Sequence, residues 1–292
     1  MQELSHRIFV FFLFIAALSA AIAIWLRNND YYLSSLEERP FHPRYDTLKP
    51  SGTESHGYGV VGTAMIIVGV ATYSTRKRIK TLANAGSIKY FLEFHIFLCL
   101  LGPILVLYHT TFKFGGLVAV AFWSMTAVVL SGFVGRYLYQ HIPKNIQGNE
   151  LSMKELEGES KRLSDLLQAE YRLPADVLAS IDSIGLHQAD VVHLGFLKLL
   201  SYMIQGDFSR VQRMQRVRAI LRQYSIDTHS SKGILRIANE RIILRQRIVL
   251  LEKIRQLFHY WHVVHLPFSL VMFAILAIHI GVAIAFGYTW IW

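Results

Sequence analysis

Residues 90–112 read YFLEFHIFLCLLGPILVLYHTTF, and residues 260–286 read YWHVVHLPFSLVMFAILAIHIGVAIAF. Each run meets the roughly 20 apolar residues that a helix needs to cross a bilayer. Residues 8–26, 58–75 and 115–140 meet the same criterion. The run 8–26 exceeds the apolar region of a signal peptide, which reaches about 15 residues, so it is expected to stay as a helix. The chain of 292 residues is 53% hydrophobic and 17% charged, against about 25% charged in a soluble domain. Its mean hydropathy is +0.34. The predicted fold class is all-α: a transmembrane bundle of five spans with a helical insertion. Spans one to four occupy 1–140, the insertion 141–258, and span five with a short tail 259–292.

Composition removes several chemistries. A single Cys excludes a disulfide framework, a Cys-based zinc site and a four-Cys iron–sulfur cluster. No CxxCH sequence occurs, which excludes covalent c-type haem attachment. Charge sets the expected orientation. Arg76, Lys77, Arg78, Lys80 and Lys89 lie between spans two and three with no acid, whereas residues 27–57 carry four basic and five acidic side chains. The excess of positive charge places the second loop and the insertion in the cytoplasm. Trp290 and Trp292 then fall at the far interface, in a multi-pass protein of a prokaryotic inner membrane.

Ionisable side chains at membrane depth are rare and mark functional sites. Span three carries His95 and His109, and span five carries His265 and His279. Both pairs are fourteen residues apart, close to four helical turns, so each pair shares one helix face with about 21 Å between its members. Odd-numbered spans run parallel, which brings His95 level with His265 and His109 level with His279. Two facing imidazole pairs at two depths suit axial ligation of two haem b groups, the arrangement of a low-spin electron-transfer centre. Zinc fits less well, because each level offers two ligands and not a closed set. Gly102 lies seven residues from each histidine of span three and is expected to let the macrocycles approach the helix. Gly62, Gly69, Gly132 and Gly135 are expected to act similarly.

The doubled fourteen-residue spacing resembles the diheme core of cytochrome b in the bc complexes. It is also similar to the membrane domain of the ferric reductase and NADPH oxidase family. The likeness covers the membrane part of the chain and rests on His95, His109, His265 and His279. It implies haem b and transmembrane electron transfer. Two departures bear on that implication. No flavin- or nucleotide-binding portion with a GxGxxG fingerprint follows span five before Trp292, and the Pro-Glu-Trp-Tyr motif of a bc-type quinol site is missing. Donor and acceptor are therefore expected to be partner redox subunits (cytochromes or iron–sulfur proteins) or quinone.

Arg136, near the end of span four, and Lys113, four residues beyond His109, are candidate partners for haem propionates. Glu93, His141, His259 and His262 form a candidate quinone or proton-uptake region. The sequence assigns no catalytic residue. A membrane reductase with its own quinone or ferric site is the alternative within the enzymes, and a haem-free membrane scaffold or sensor is the alternative outside them.

The insertion is charge-segregated, with 5 basic and 9 acidic residues over 141–190 and 13 basic and 4 acidic over 191–258. Ser152 and Glu155 have capping-box spacing, and Pro174 is expected at the first position of a short helix. Residues 208–224 read as one amphipathic helix. It has Phe208, Val211, Met214, Val217, Leu221 and Tyr224 on a stripe and arginines around it. Such a helix suits anionic membrane lipid or an acidic partner. No motif supports binding of nucleic acid. From about residue 232 a helical pattern runs without interruption into span five.

Overall fold

The computed structural model describes residues 2–79, 81–82, 86–143, 151–184, 195–224 and 231–288. Among these the chain is helical, with no strand. Helix α1 spans Gln2–Leu33. The connection after it holds a 3-10 turn at Arg39–Phe41 and a single turn, α2, at Tyr45–Leu48. The helices α3 (Thr53–Arg78), α4 (Ile88–His109) and α5 (Gly116–His141) follow. The insertion supplies α6 (Met153–Ala169), α7 (Ala175–Asp182), α8 (Phe196–Phe208) and α9 (Arg210–Gln223). Helix α10 runs over Ser231–Ala285, 55 residues that continue through Pro267. Five helices are long and apolar enough to cross a membrane, and they correspond to α1, α3, α4, α5 and α10. The chain is therefore a multi-pass α-helical membrane protein. Trp290 and Trp292 lie outside the described residues.

The chain divides into two compact units. One comprises Met1–Val134 with His262–Trp292, and the other comprises Gly135–Trp261. The organising contact of the first unit is the α3–α4 pair. A Cβ on Gly62 would meet the carbonyl oxygen of Gly102 at 2.6 Å, and one on Gly102 would meet that of Gly62 at 2.6 Å. Glycine at both positions lets the two backbones touch, as small residues do at membrane helix interfaces. Ser87 caps α4 at its start, and Arg76, Lys77 and Arg78 complement the dipole at the end of α3. Between the depths of the two histidine levels, Ile66, Met125 and Met272 are buried together, with Val106 and Phe273 packed against them.

The first connection is an ordered cover. Arg44 binds both carboxylate oxygens of Glu54, at 2.8 and 3.0 Å. Buried Arg39 donates to Tyr32 O at 2.8 Å and to Thr111 O at 2.6 Å. Tyr31, Tyr32, Leu48 and Tyr108 form an aromatic core beneath it.

The second unit has its own core, in which Leu167 of α6, Val177 and Ile181 of α7, Val217 of α9 and Ile242 of α10 are buried. The capping box at Ser152 and Glu155 is formed in full. Pro174 is the cap of α7 and not its first residue, since its ψ of 153° is extended. The stretch 208–224 is two helices and not one. Helix α8 ends at Phe208, Ser209 has φ −77° and ψ 7°, and α9 starts at Arg210. Met214, Val217 and Leu221 turn inward to the unit's core, whereas Phe208 and Val211 are exposed.

Candidate functional site: two imidazole levels

The α3–α4 contact positions the first two histidines. His95 Nδ1 lies 3.1 Å from the carbonyl oxygen of Gly69, and His109 Nδ1 lies 3.0 Å from that of Ser55. A carbonyl only accepts, so in both rings Nδ1 carries the proton and Nε2 keeps its lone pair. The two acceptors on α3 are themselves fourteen residues apart, because adjacent spans are antiparallel rods of equal rise. Ser55 is buried, and its hydroxyl returns toward the carbonyls of Tyr108 and His109, at 3.3 and 3.2 Å. The His109 ring is confined further by Gly59, where a Cβ would meet it at 2.7 Å. Tyr73 stacks on His95 with ring centres 5.4 Å apart and planes 29° apart.

The partner histidines come from α10. His109 and His279 face each other with ring centres 6.3 Å apart. His265 lies within electrostatic range of His95 and of His262. Its Nδ1 is 2.7 Å from Ser131 Oγ on α5, and that hydroxyl also reaches the carbonyl of Val128 at 2.9 Å. With the hydroxyl hydrogen on Val128 O, Ser131 Oγ accepts from His265 Nδ1, the arrangement that gives His265 the tautomer of His95 and His109. Outer hydrogen bonds of this kind set the ring orientation and basicity of histidine metal ligands. Among the described residues no group of three or more His, Cys, Asp or Glu converges to hold a metal ion. Each level thus brings an imidazole of α4 together with one of α10.

His56, near the start of α3, is a neighbour of the His109 level that spacing did not reveal. Its ring centre is 6.0 Å from that of His109, with the planes 76° apart. No periodicity marks it, since α3 carries no second histidine; only the pairing of α3 with α4 brings it in.

The other sequence-selected residues are placed as follows. Gly102 faces α3, where Gly62 and Ile66 lie, so its missing side chain serves the helix contact. Gly69 also packs on α4, and Gly135 packs on Trp261, whereas Gly132 faces open space. Lys113 is exposed and does not continue the His109 face, because α4 stops at His109 and Thr111 and Phe112 take φ of 50° and 59°. Glu93 and His262 are half-buried in the first unit. Arg136, His141 and His259 belong to the second. There His141 pairs with Asp207 at 3.2 Å, and Asp207 also accepts from the Tyr137 hydroxyl at 2.8 Å. His259 is exposed. Comparison with known proteins finds no family model, no curated protein and no solved structure that matches this chain.

Proposed function

We propose that this protein is a diheme b-type cytochrome that carries electrons across a membrane, with one haem held by His95 and His265 and the other by His109 and His279. The observation that carries the reading is the pair His109/His279, whose ring centres are 6.3 Å apart. Two imidazoles bound to one metal from opposite sides, through bonds of about 2 Å, have ring centres about 6 Å apart. His95 and His109 hold their proton on Nδ1, which leaves Nε2 as the ligating atom, and Ser131 offers His265 Nδ1 an acceptor for the same arrangement. When bound, each haem supplies a one-electron couple at its own depth.

The chain's residues do the rest. The Gly69 and Ser55 carbonyls and the Ser131 hydroxyl orient the ligating rings, and Ile66, Met125 and Met272 keep the space between the levels apolar. The positive loop after α3 orients the insertion toward the cytoplasm of a prokaryote. Electrons are exchanged with quinone or with partner redox subunits. The test is a reduced-minus-oxidised absorbance spectrum with a pyridine haemochrome assay on the purified chain. Two haem b per polypeptide are expected; none, in folded protein made with haem available, overturns the proposal.

A further inference from the structure

Among its described residues the second unit carries an exposed apolar surface on helix α8. Helix α8 is apolar on two opposite sides. Leu199 and Met203 are buried, whereas Leu197, Ile204 and Phe208 are exposed by 76%, 40% and 84%. The exposed three are seven and four residues apart, which puts them on one stripe. Val211, in the first turn of α9 beyond the break at Ser209, is also exposed, by 67%. A helix that is apolar all round is ordinarily buried, and a contiguous exposed patch of large apolar side chains marks an interaction surface.

What borders the stripe identifies the occupant. A cavity of about 580 Å³ joins Tyr202, Ile204 and Phe208 to Gln212, Arg213 and Arg216. Helices α8 and α9 contain six basic residues and a single acid, Asp207, which is engaged by Tyr137 and His141. Arg216, Arg218 and Arg222 are exposed. Apolar side chains flanked by cations match the boundary between acyl chains and anionic headgroups. The unit is also tethered at both ends, through α5 and α10, to helices that cross a membrane. A lipid surface is therefore present at high effective concentration.

We infer that the α8–α9 face is a docking surface for anionic lipid, with Leu197, Ile204, Phe208 and Val211 entering the interface and Arg216, Arg218 and Arg222 on the phosphates. This differs from the expectation of one amphipathic stripe from Phe208 to Tyr224, because Met214, Val217 and Leu221 are spent on the unit's core. The inference is independent of haem.

The experiment uses the full chain in nanodiscs of phosphatidylcholine alone or mixed with phosphatidylglycerol. An environment-sensitive fluorophore is attached through Phe208→Cys on a Cys99→Ser background, with Leu197→Cys as a second reporter at the other end of α8. A blue-shifted emission is expected only with phosphatidylglycerol. It should be reversed by high salt and by Arg216→Gln, Arg218→Gln and Arg222→Gln together, at about fivefold in the docking equilibrium per arginine. Emission typical of water in both lipids at both positions overturns the inference. A blue shift that is identical in both lipids and in detergent also overturns it, because the stripe is then covered by protein.

Discussion

Replacing Ser131 with Ala deletes the acceptor that lies 2.7 Å from His265 Nδ1 and changes nothing else in the ligand set. Ser131 supplies the only one of the three Nδ1 acceptors described above that a side-chain substitution can remove, since Gly69 and Ser55 act through backbone carbonyls. A neutral hydrogen bond of this kind contributes about 1 kcal/mol net. A bond donated by a metal-bound imidazole strengthens as positive charge on the metal rises, because it raises ligand basicity. Its loss therefore falls mainly on the oxidised state. A tenfold change in a one-electron equilibrium is about 59 mV, so losing half to all of the bond in that state raises the midpoint potential by about 20–40 mV. If the protein holds two haems as proposed, a potentiometric titration resolves this as movement of one component while the other stays in place. Ser131→Thr, which keeps a hydroxyl, should return the component toward its original position. Equal movement of both components, or no movement in a variant with unchanged haem content, refutes the assignment of Ser131 to the His265 level.

Other perturbations separate the two levels and the two units. His109→Ala or His279→Ala should halve the haem per chain and leave the His95/His265 centre in the spectrum; unchanged stoichiometry by pyridine haemochrome would show that these rings are not ligands. Gly59→Ala puts a methyl 2.7 Å from the His109 ring, inside any ordinary carbon contact, so the same centre should be lost or its spectrum shifted while the other persists. Asp182 pairs with Arg241 at 2.8 Å and also with Arg245. Asp182→Asn leaves the buried Arg241 without its counter-charge, which costs about 3–5 kcal/mol, and should raise hydrogen exchange across α7 and the first turns of α10 without removing haem. Hydrogen bonds from the Ser152 hydroxyl and backbone hold the Glu155 carboxyl below its ordinary range. The stability this adds to the start of α6 is fully present above the ordinary glutamate pKa and is lost as pH falls through the lowered value. Protection of the first amides of α6, relative to the intrinsic exchange rate at each pH, should fall on acidification, and Glu155→Gln should flatten that dependence.

The spans were legible because hydropathy and length suffice for a helix in lipid, and the structure extends them without changing their number or order. The register of the four histidines was legible for a related reason: rise per residue is a constant of the α-helix, so equal spacings on parallel helices align in depth. Periodicity says which residues share a face, but not which neighbour that face meets. Gly102 was expected to face a macrocycle, yet its neighbour is Gly62. Ser131 and His56 sit on helices outside the two fourteen-residue spacings, and only tertiary packing brings them to the rings. Lys113 was extrapolated along a helix that stops at His109, where two non-glycine residues adopt left-handed backbone and Arg39, 72 residues earlier in sequence, holds the turn through Thr111 O. Ser209 breaks a stripe that hydropathy alone reads as continuous.

The layer of Ile66, Met125 and Met272 between the two imidazole levels has a consequence for energy conversion. These side chains offer no hydrogen-bonding relay of their own, so under the proposed function an electron passing this layer would receive no proton through it. An electron that crosses alone charges the membrane as it would a capacitor, at about 2.3 kcal/mol for each 100 mV opposing it. If the protein carries electrons as proposed, three hydrocarbon and thioether side chains are part of the dielectric of that circuit, and the direction of flow would be sensitive to membrane voltage.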